Sequence, residues 1–83
     1  MKKLITTIKK SDSEELRVAL SEFETSGRVH QMMSARVFYL DGKEYKPGKN
    51  GINLKVDLLP QLVEALALAE KEARSAGLLP QAA

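Results

Sequence analysis

Nine residues in the second half of the chain, KPGKNGINL at positions 46–54, constrain the fold more than any other stretch. Pro47 fixes φ and removes a backbone donor, while Gly48 and Gly51 can adopt backbone angles closed to other residues. A sharp bend is expected between Lys46 and Lys49. The alternating Ile52-Asn53-Leu54 that follows reads as the start of a strand. Two ammonium groups on a preset bend beside a sheet are well placed to meet a chain of phosphates. Taken alone, the same residues also describe a lysine-decorated surface hairpin.

The preceding residues supply the sheet. Over 15–23, Leu16, Val18 and Leu20 share one parity, and Arg17, Ala19, Ser21 and Phe23 the other. ETSG at 24–27 is turn chemistry, and 28–40 reads as a second strand with Val29, Val37, Phe38 and Tyr39. That run far exceeds the usual length of about 5–6 residues, so a bulge near its middle is expected. Asp41-Gly42 signals a hairpin. A third strand is expected over 43–46, leading into the bend, and a fourth over 51–56. Residues 4–9, with Ile5, Thr6, Thr7 and Ile8, suit either a further strand or a loosely attached arm.

The chain then turns helical. Asp57 is a candidate N-cap, Pro60 falls in the first turn, and Gly77 lies where a C-terminal cap belongs. Such a helix would run about 28 Å. Leu59, Leu62, Val63, Leu66 and Ala73 form one apolar stripe, and Leu58, Ala65, Leu68 and Ala69 a second beside it. One small sheet cannot cover both. One side is therefore expected on the sheet and the other on the same helix of a second copy, with Leu59, Leu62, Val63 and Leu66 at the dimer interface. The competing reading is a wide core face in a monomer. The fold class is thus α+β, an antiparallel four-stranded sheet followed by one C-terminal helix, paired as a homodimer. Residues 1–13 are an arm or extra strand, 14–76 the single domain and 77–83 a frayed tail.

Composition narrows the function. With 83 residues one domain is expected, and its core is marginal. There is no Cys, and His30 is the one His, which argues against thiol chemistry, disulfide frameworks and zinc sites. No metal or cofactor is expected. No G-x-S-x-G elbow, phosphate-binding Walker loop or G-x-G-x-x-G is present, and Glu14-Glu15 and Glu70 with Glu72 read as solvated charge. An enzyme is not expected. The first 56 residues carry eleven Lys or Arg against seven Asp or Glu, and the remainder two against four. That asymmetry suggests an anionic partner for the first part and a protein partner for the second. MKKLITTIKK is too short in apolar residues for a signal or membrane segment, so a soluble cytoplasmic protein is expected.

Cations interleaved with aromatic rings suit unpaired nucleic acid, because cations meet phosphates and rings stack on exposed bases. Phe23, Arg28, Arg36, Tyr39, Lys46 and Lys49 form the candidate site. Phe23 and Tyr39 suit core packing equally well. Met32 and Met33 read as core fillers. Arg36 and Tyr39 differ in parity, and can serve one ligand only if the strand bulges or Tyr39 reaches over an edge.

The run ARVFYLDGKEYKPGKNGINLKVDLLPQLVEAL, with LRVALSEF upstream, resembles the positive cofactor four family of transcriptional coactivators. The shared features are an aromatic-ended strand, a KPG-basic-x-GI-x-L turn and a closing helix. The resemblance covers residues 14–73. It implies a curved sheet, a homodimer, and single-stranded or unwound DNA bound across the two sheets. The family's ligand contacts fall on Phe23, Arg36, Tyr39, Lys46 and Lys49, and loosely on Arg28. Tyr39 stands where Trp is common, and Asn50 where a second basic residue is usual. The absence of a serine- and acid-rich region points to a bacterial or phage version, acting at the nucleoid or in a phage-infected cell. The expected function is non-catalytic binding of single-stranded DNA in transcription regulation or DNA replication and recombination, with transcription or replication proteins as further partners. The alternative is a protein-interaction module without nucleic-acid binding.

Overall fold

The computed structural model describes residues 2–80. Four strands run in chain order: β1 (Lys2–Lys9), β2 (Glu14–Thr25), β3 (Arg28–Asp41) and β4 (Glu44–Lys55). One 3₁₀ turn (Val56–Leu58) leads into helix α1 (Leu59–Ser75). The strands form one antiparallel meander in the order β1-β2-β3-β4. The alternation read between 15 and 40 is therefore real, but the strand inventory differs at both ends.

Residues 2–9 are a full edge strand. β1 pairs with β2 from Lys2 opposite Ser21 to Lys9 opposite Glu15, with one irregularity between Leu4 and Thr6. Of the two readings of this segment, a further strand or an arm, the strand holds, and the slip that breaks its alternation is why the sequence left both open. At the other edge, the segments expected at 43–46 and 51–56 are one strand. Pro47 sits opposite Phe38 and Gly51 opposite Arg36, so β4 carries two extra residues there and resumes its pairing. Pro is tolerated because this is an edge strand, where a missing donor need not break a ladder. The glycines are required by close approach. A Cβ on Gly51 would lie 2.5 Å from the Ala35 carbonyl oxygen, and one on Gly48 2.8 Å from that of Val37. The bend is thus a bulge within the sheet. The bulge expected inside the long second strand falls instead on its neighbour, and β3 pairs with β2 without interruption from Arg28 opposite Thr25 to Tyr39 opposite Glu14.

Register sorts the side chains onto two faces. Glu15, Arg17, Ala19, Ser21 and Phe23 share one face with Phe38, Arg36, Ser34, Met32 and His30. Leu16, Val18 and Leu20 share the other with Val37, Ala35 and Met33, and with Ile52 and Leu54 of β4. Ala19 and Met33 are the only buried hydrophobic residues among those described, each 3% exposed.

Helix α1 begins later than expected. Asp57 lies in the 3₁₀ turn, and the N-cap position is Leu58, with no side-chain hydrogen bond. Pro60 does occupy the first turn. At the far end, Gly77 N–H donates to the Arg74 carbonyl at 3.1 Å and Leu78 N–H to that of Ala73 at 2.8 Å, which closes the helix. The expected tail, 77–83, lies outside the described residues beyond Pro80. No residue of α1 is buried. Leu59 and Leu62 are half-buried, while Val63 and Leu66 are about 60% exposed, so the expected packing of one helix side on its own sheet is confined to the first turns. The radius of gyration is 15.6 Å, against about 12 Å for a compact chain of this length. The accessible surface is 6749 Å², against about 4,900 Å² for a compact monomer of this mass. One chain does not close a core around its helix.

Candidate nucleic-acid interface

The mixed face of the sheet holds a hollow of about 550 Å³. All four strands line it: Lys2 and Leu4 from β1, Arg17, Ala19 and Ser21 from β2, Ser34, Arg36 and Phe38 from β3, Pro47 and Asn53 from β4. Arg17 and Arg36 are directly opposite each other in the ladder. The Arg17 guanidinium lies 4.2 Å from the centre of the Phe38 ring and 5.7 Å from that of Tyr45. Its Nε donates to Glu15 at 2.6 Å. Three residue pairs farther along, Phe23 stacks on His30 with ring centres 5.0 Å apart and planes 26° from parallel. Arg28 ends the same face, opposite Thr25.

Acidic groups gather on the other side. Glu14, Glu22 and Glu24 alternate with the groove residues and point away from them. Gln31 donates a hydrogen bond to the Glu22 carboxylate at 2.9 Å, which holds that group below the ordinary carboxylate range and keeps it charged. The sheet therefore presents a basic, partly aromatic hollow on one face and an apolar, acid-rimmed surface on the other.

A second hollow of about 360 Å³ lies at the β4 bulge, lined by Glu14, Val37, Tyr39, Pro47, Gly48, Lys49 and Asn50. The Tyr39 ring packs beside Gly48, where a Cβ would be 3.7 Å from its Cδ1. Lys46 is tied to Asp41 at 2.8 Å.

The six residues singled out from sequence are thus divided. Phe23, Arg28 and Arg36 share the groove face, Tyr39 and Lys46 face the opposite way, and Lys49 sits on the bulge. Arg36 and Tyr39 remain on opposite faces because β3 itself does not slip. Pro47 borders both hollows, so the two meet across the β4 edge. Phe23 and Tyr39 are exposed, at 48% and 43%. His30 is the stacking partner of Phe23. Met33 is buried as expected, whereas Met32 is half-buried on the groove face. Arg17 and Phe38 are groove residues that the sequence did not single out. Parity carries the signal, because Arg17 alternates in step with Phe23, and Phe38 with Arg36.

Among the described residues, no cluster of three His, Cys, Asp or Glu could hold a metal ion, and no helix is long and apolar enough to cross a membrane.

Residues 10–65 match the family described as Transcriptional Coactivator p15 (PC4). The chain belongs to the PC4 family. The match begins just after β1 and ends within α1, so it covers β2, β3 and β4 and leaves out the β1 residues that line the first hollow. The fold is similar to that of BPSL1147, a PC4 homologue from Burkholderia pseudomallei K96243, with a TM-score of 0.70 and 25% identity over 84% of this chain and 90% of that one. It is also similar to MoSub1 in complex with single-stranded DNA, with a TM-score of 0.59 and 34% identity over 86% of this chain and 78% of that one. A second MoSub1–DNA complex gives a TM-score of 0.60 and 33% identity over 87% of this chain and 85% of that one. No curated protein sequence matches.

Proposed function

We propose that this PC4-family chain acts as a non-catalytic homodimer that binds single-stranded DNA. Its ligand runs through the basic groove and over the β4 edge to the bulge, with Phe23, Arg28, Arg36, Tyr39, Lys46 and Lys49 as contacts. The observation that carries the reading is Arg36. It is exposed on the groove face and makes no hydrogen bond or ion pair with a described residue. It lines the hollow with Phe38, and Glu15, on the same face of β2, is bonded to Arg17. An open cation beside aromatic rings suits a phosphate chain with unstacked bases, while a duplex would hide its base faces from those rings. The similarity to MoSub1, solved with single-stranded DNA, supports the same ligand.

The surface area supports association. The excess of about 1,800 Å² over a compact monomer, buried on two chains, gives an interface of about 3,600 Å², within the range of obligate dimers. Leu59, Leu62, Val63 and Leu66 supply the helix side of that contact. The process served is transcription regulation or DNA replication and recombination, in the cytoplasm.

Fluorescence anisotropy with a labelled single strand and its matched duplex tests the reading. Tighter binding of the single strand is expected, with affinity falling as salt rises at a log–log slope of about −0.7 for each phosphate neutralised. Equal affinity for the duplex, or no binding at moderate salt, would favour the protein-interaction alternative, in which the sheet or the acidic helix docks another protein.

A further inference from the structure

We propose that Arg17 and Arg36 together form one seat for a single phosphate group of the bound strand, with Arg17 held ready by Glu15 and Phe38. The proposal rests on the single-strand reading above and adds a contact, Arg17, that the family's ligand residues do not include.

The ladder places the two arginines directly opposite each other on one face, and both line the same hollow. Like charges in direct cross-strand register repel. An oxyanion between them turns that repulsion into two attractions. Glu15 does not already fill this role, because it accepts only the Arg17 Nε–H, at 2.6 Å. The two terminal amino groups of the Arg17 fork remain, and they are the pair that meets a phosphate side by side. The Phe38 ring, 4.2 Å away, fixes the guanidinium plane, so little side-chain freedom is left to lose on binding. Ser21, Ser34 and Asn53 line the same hollow and offer neutral donors to the remaining oxygens.

The same geometry separates phosphate from base. One side of the Phe38 ring is covered by Arg17, so this end of the groove takes phosphate. Within the groove, base stacking falls to the Phe23–His30 pair, six residues along β2 and about 20 Å away.

The test titrates the full-length protein with a labelled single strand over a salt series, alongside R17A, R36A and the double variant, each checked for native circular dichroism. Either single substitution is expected to weaken binding about tenfold, as for loss of a charge-assisted hydrogen-bonded contact. The double variant is expected to lower the salt slope by about 0.7, the share of one phosphate rather than two. Wild-type binding with unchanged R17A affinity overturns the seat and leaves the single-strand reading standing. A slope loss of about 1.4 in the double variant overturns the shared seat in favour of two separate contacts. No binding by the wild type removes both. If R17A does not fold, E15Q reports on the same place. E15Q removes a negative charge beside the seat while its amide oxygen can still accept the Arg17 Nε–H, so the strand is expected to bind several-fold more tightly, and an unaltered E15Q affinity overturns the proposal. Inorganic phosphate at matched ionic strength completes the set. Saturable binding of millimolar phosphate with no loss of oligonucleotide affinity would point to a seat for free phosphate and overturn its assignment to the strand.

Discussion

Tyr39 and Lys49 show how a single side chain can be candidate and scaffold at once. Tyr39 is 43% exposed and lines the bulge hollow with Lys49, yet its ring also packs beside Gly48. Stacking on a base contributes about 1–3 kcal/mol by alanine substitution. Tyr39→Ala is therefore expected to weaken single-strand binding at least several-fold with little loss of stability, because the ring buries only part of its surface. Unchanged affinity in a folded variant would remove Tyr39 from the site. Lys49 has a simpler role. It stands on the bulge and makes no ion pair with a described residue, unlike Lys46, which is held by Asp41. Lys49→Ala is expected to reduce the salt slope by about 0.7, and a slope identical to the wild type would exclude the bulge as a phosphate contact.

At the scale of elements, β4 decides how the site is built, and its glycines make that testable. Gly51 has φ of +150° and no room for a Cβ, whereas Gly42 has φ of +68° and open space around it. Gly42→Ala is expected to cost about 1 kcal/mol, the strain of a left-handed backbone alone. Gly51→Ala adds a clash with the β3 backbone and is expected to cost about 3 kcal/mol or more by urea unfolding. Equal costs would mean that the bulge does not hold β4 against β3. The same element marks where sequence reading stops. Pro47 and the glycines correctly announced an interruption, but local chemistry does not distinguish a chain that leaves the sheet from one that bulges and stays. That outcome depends on β3 lying alongside with free carbonyls, a non-local fact. β2 and β3 were legible because their alternation is long and unbroken. β1 was left open between a strand and an arm, because a one-residue slip at Ile5 scrambles its parity. Half of the candidate site was legible for the same reason. Phe23 and Arg36 announce a shared face only once register pairs their strands, and that pairing is what brings Arg17 beside Arg36.

The whole molecule is short of a core. Only Ala19 and Met33 are fully sheltered among the described hydrophobic residues, and Val63 and Leu66 stand about 60% exposed on a helix with no buried residue. A chain with so little buried apolar surface gains too little to offset the entropy of ordering its backbone. If folding and pairing are one event, stability must rise with protein concentration. A tenfold increase then contributes about 1.4 kcal/mol per dimer, enough to raise Tm by several degrees. Leu66→Glu places a charge in the middle of the proposed helix contact, where it would be desolvated without a partner. That variant is expected to sediment as a monomer, to lose the cooperative melt, and to lose single-strand affinity by more than any one groove substitution, because the two sheets are no longer held together. A wild-type chain that sediments as a monomer at every concentration, with a Tm independent of concentration, would show that the exposed helix is stable alone. The groove on each sheet would then have to act singly.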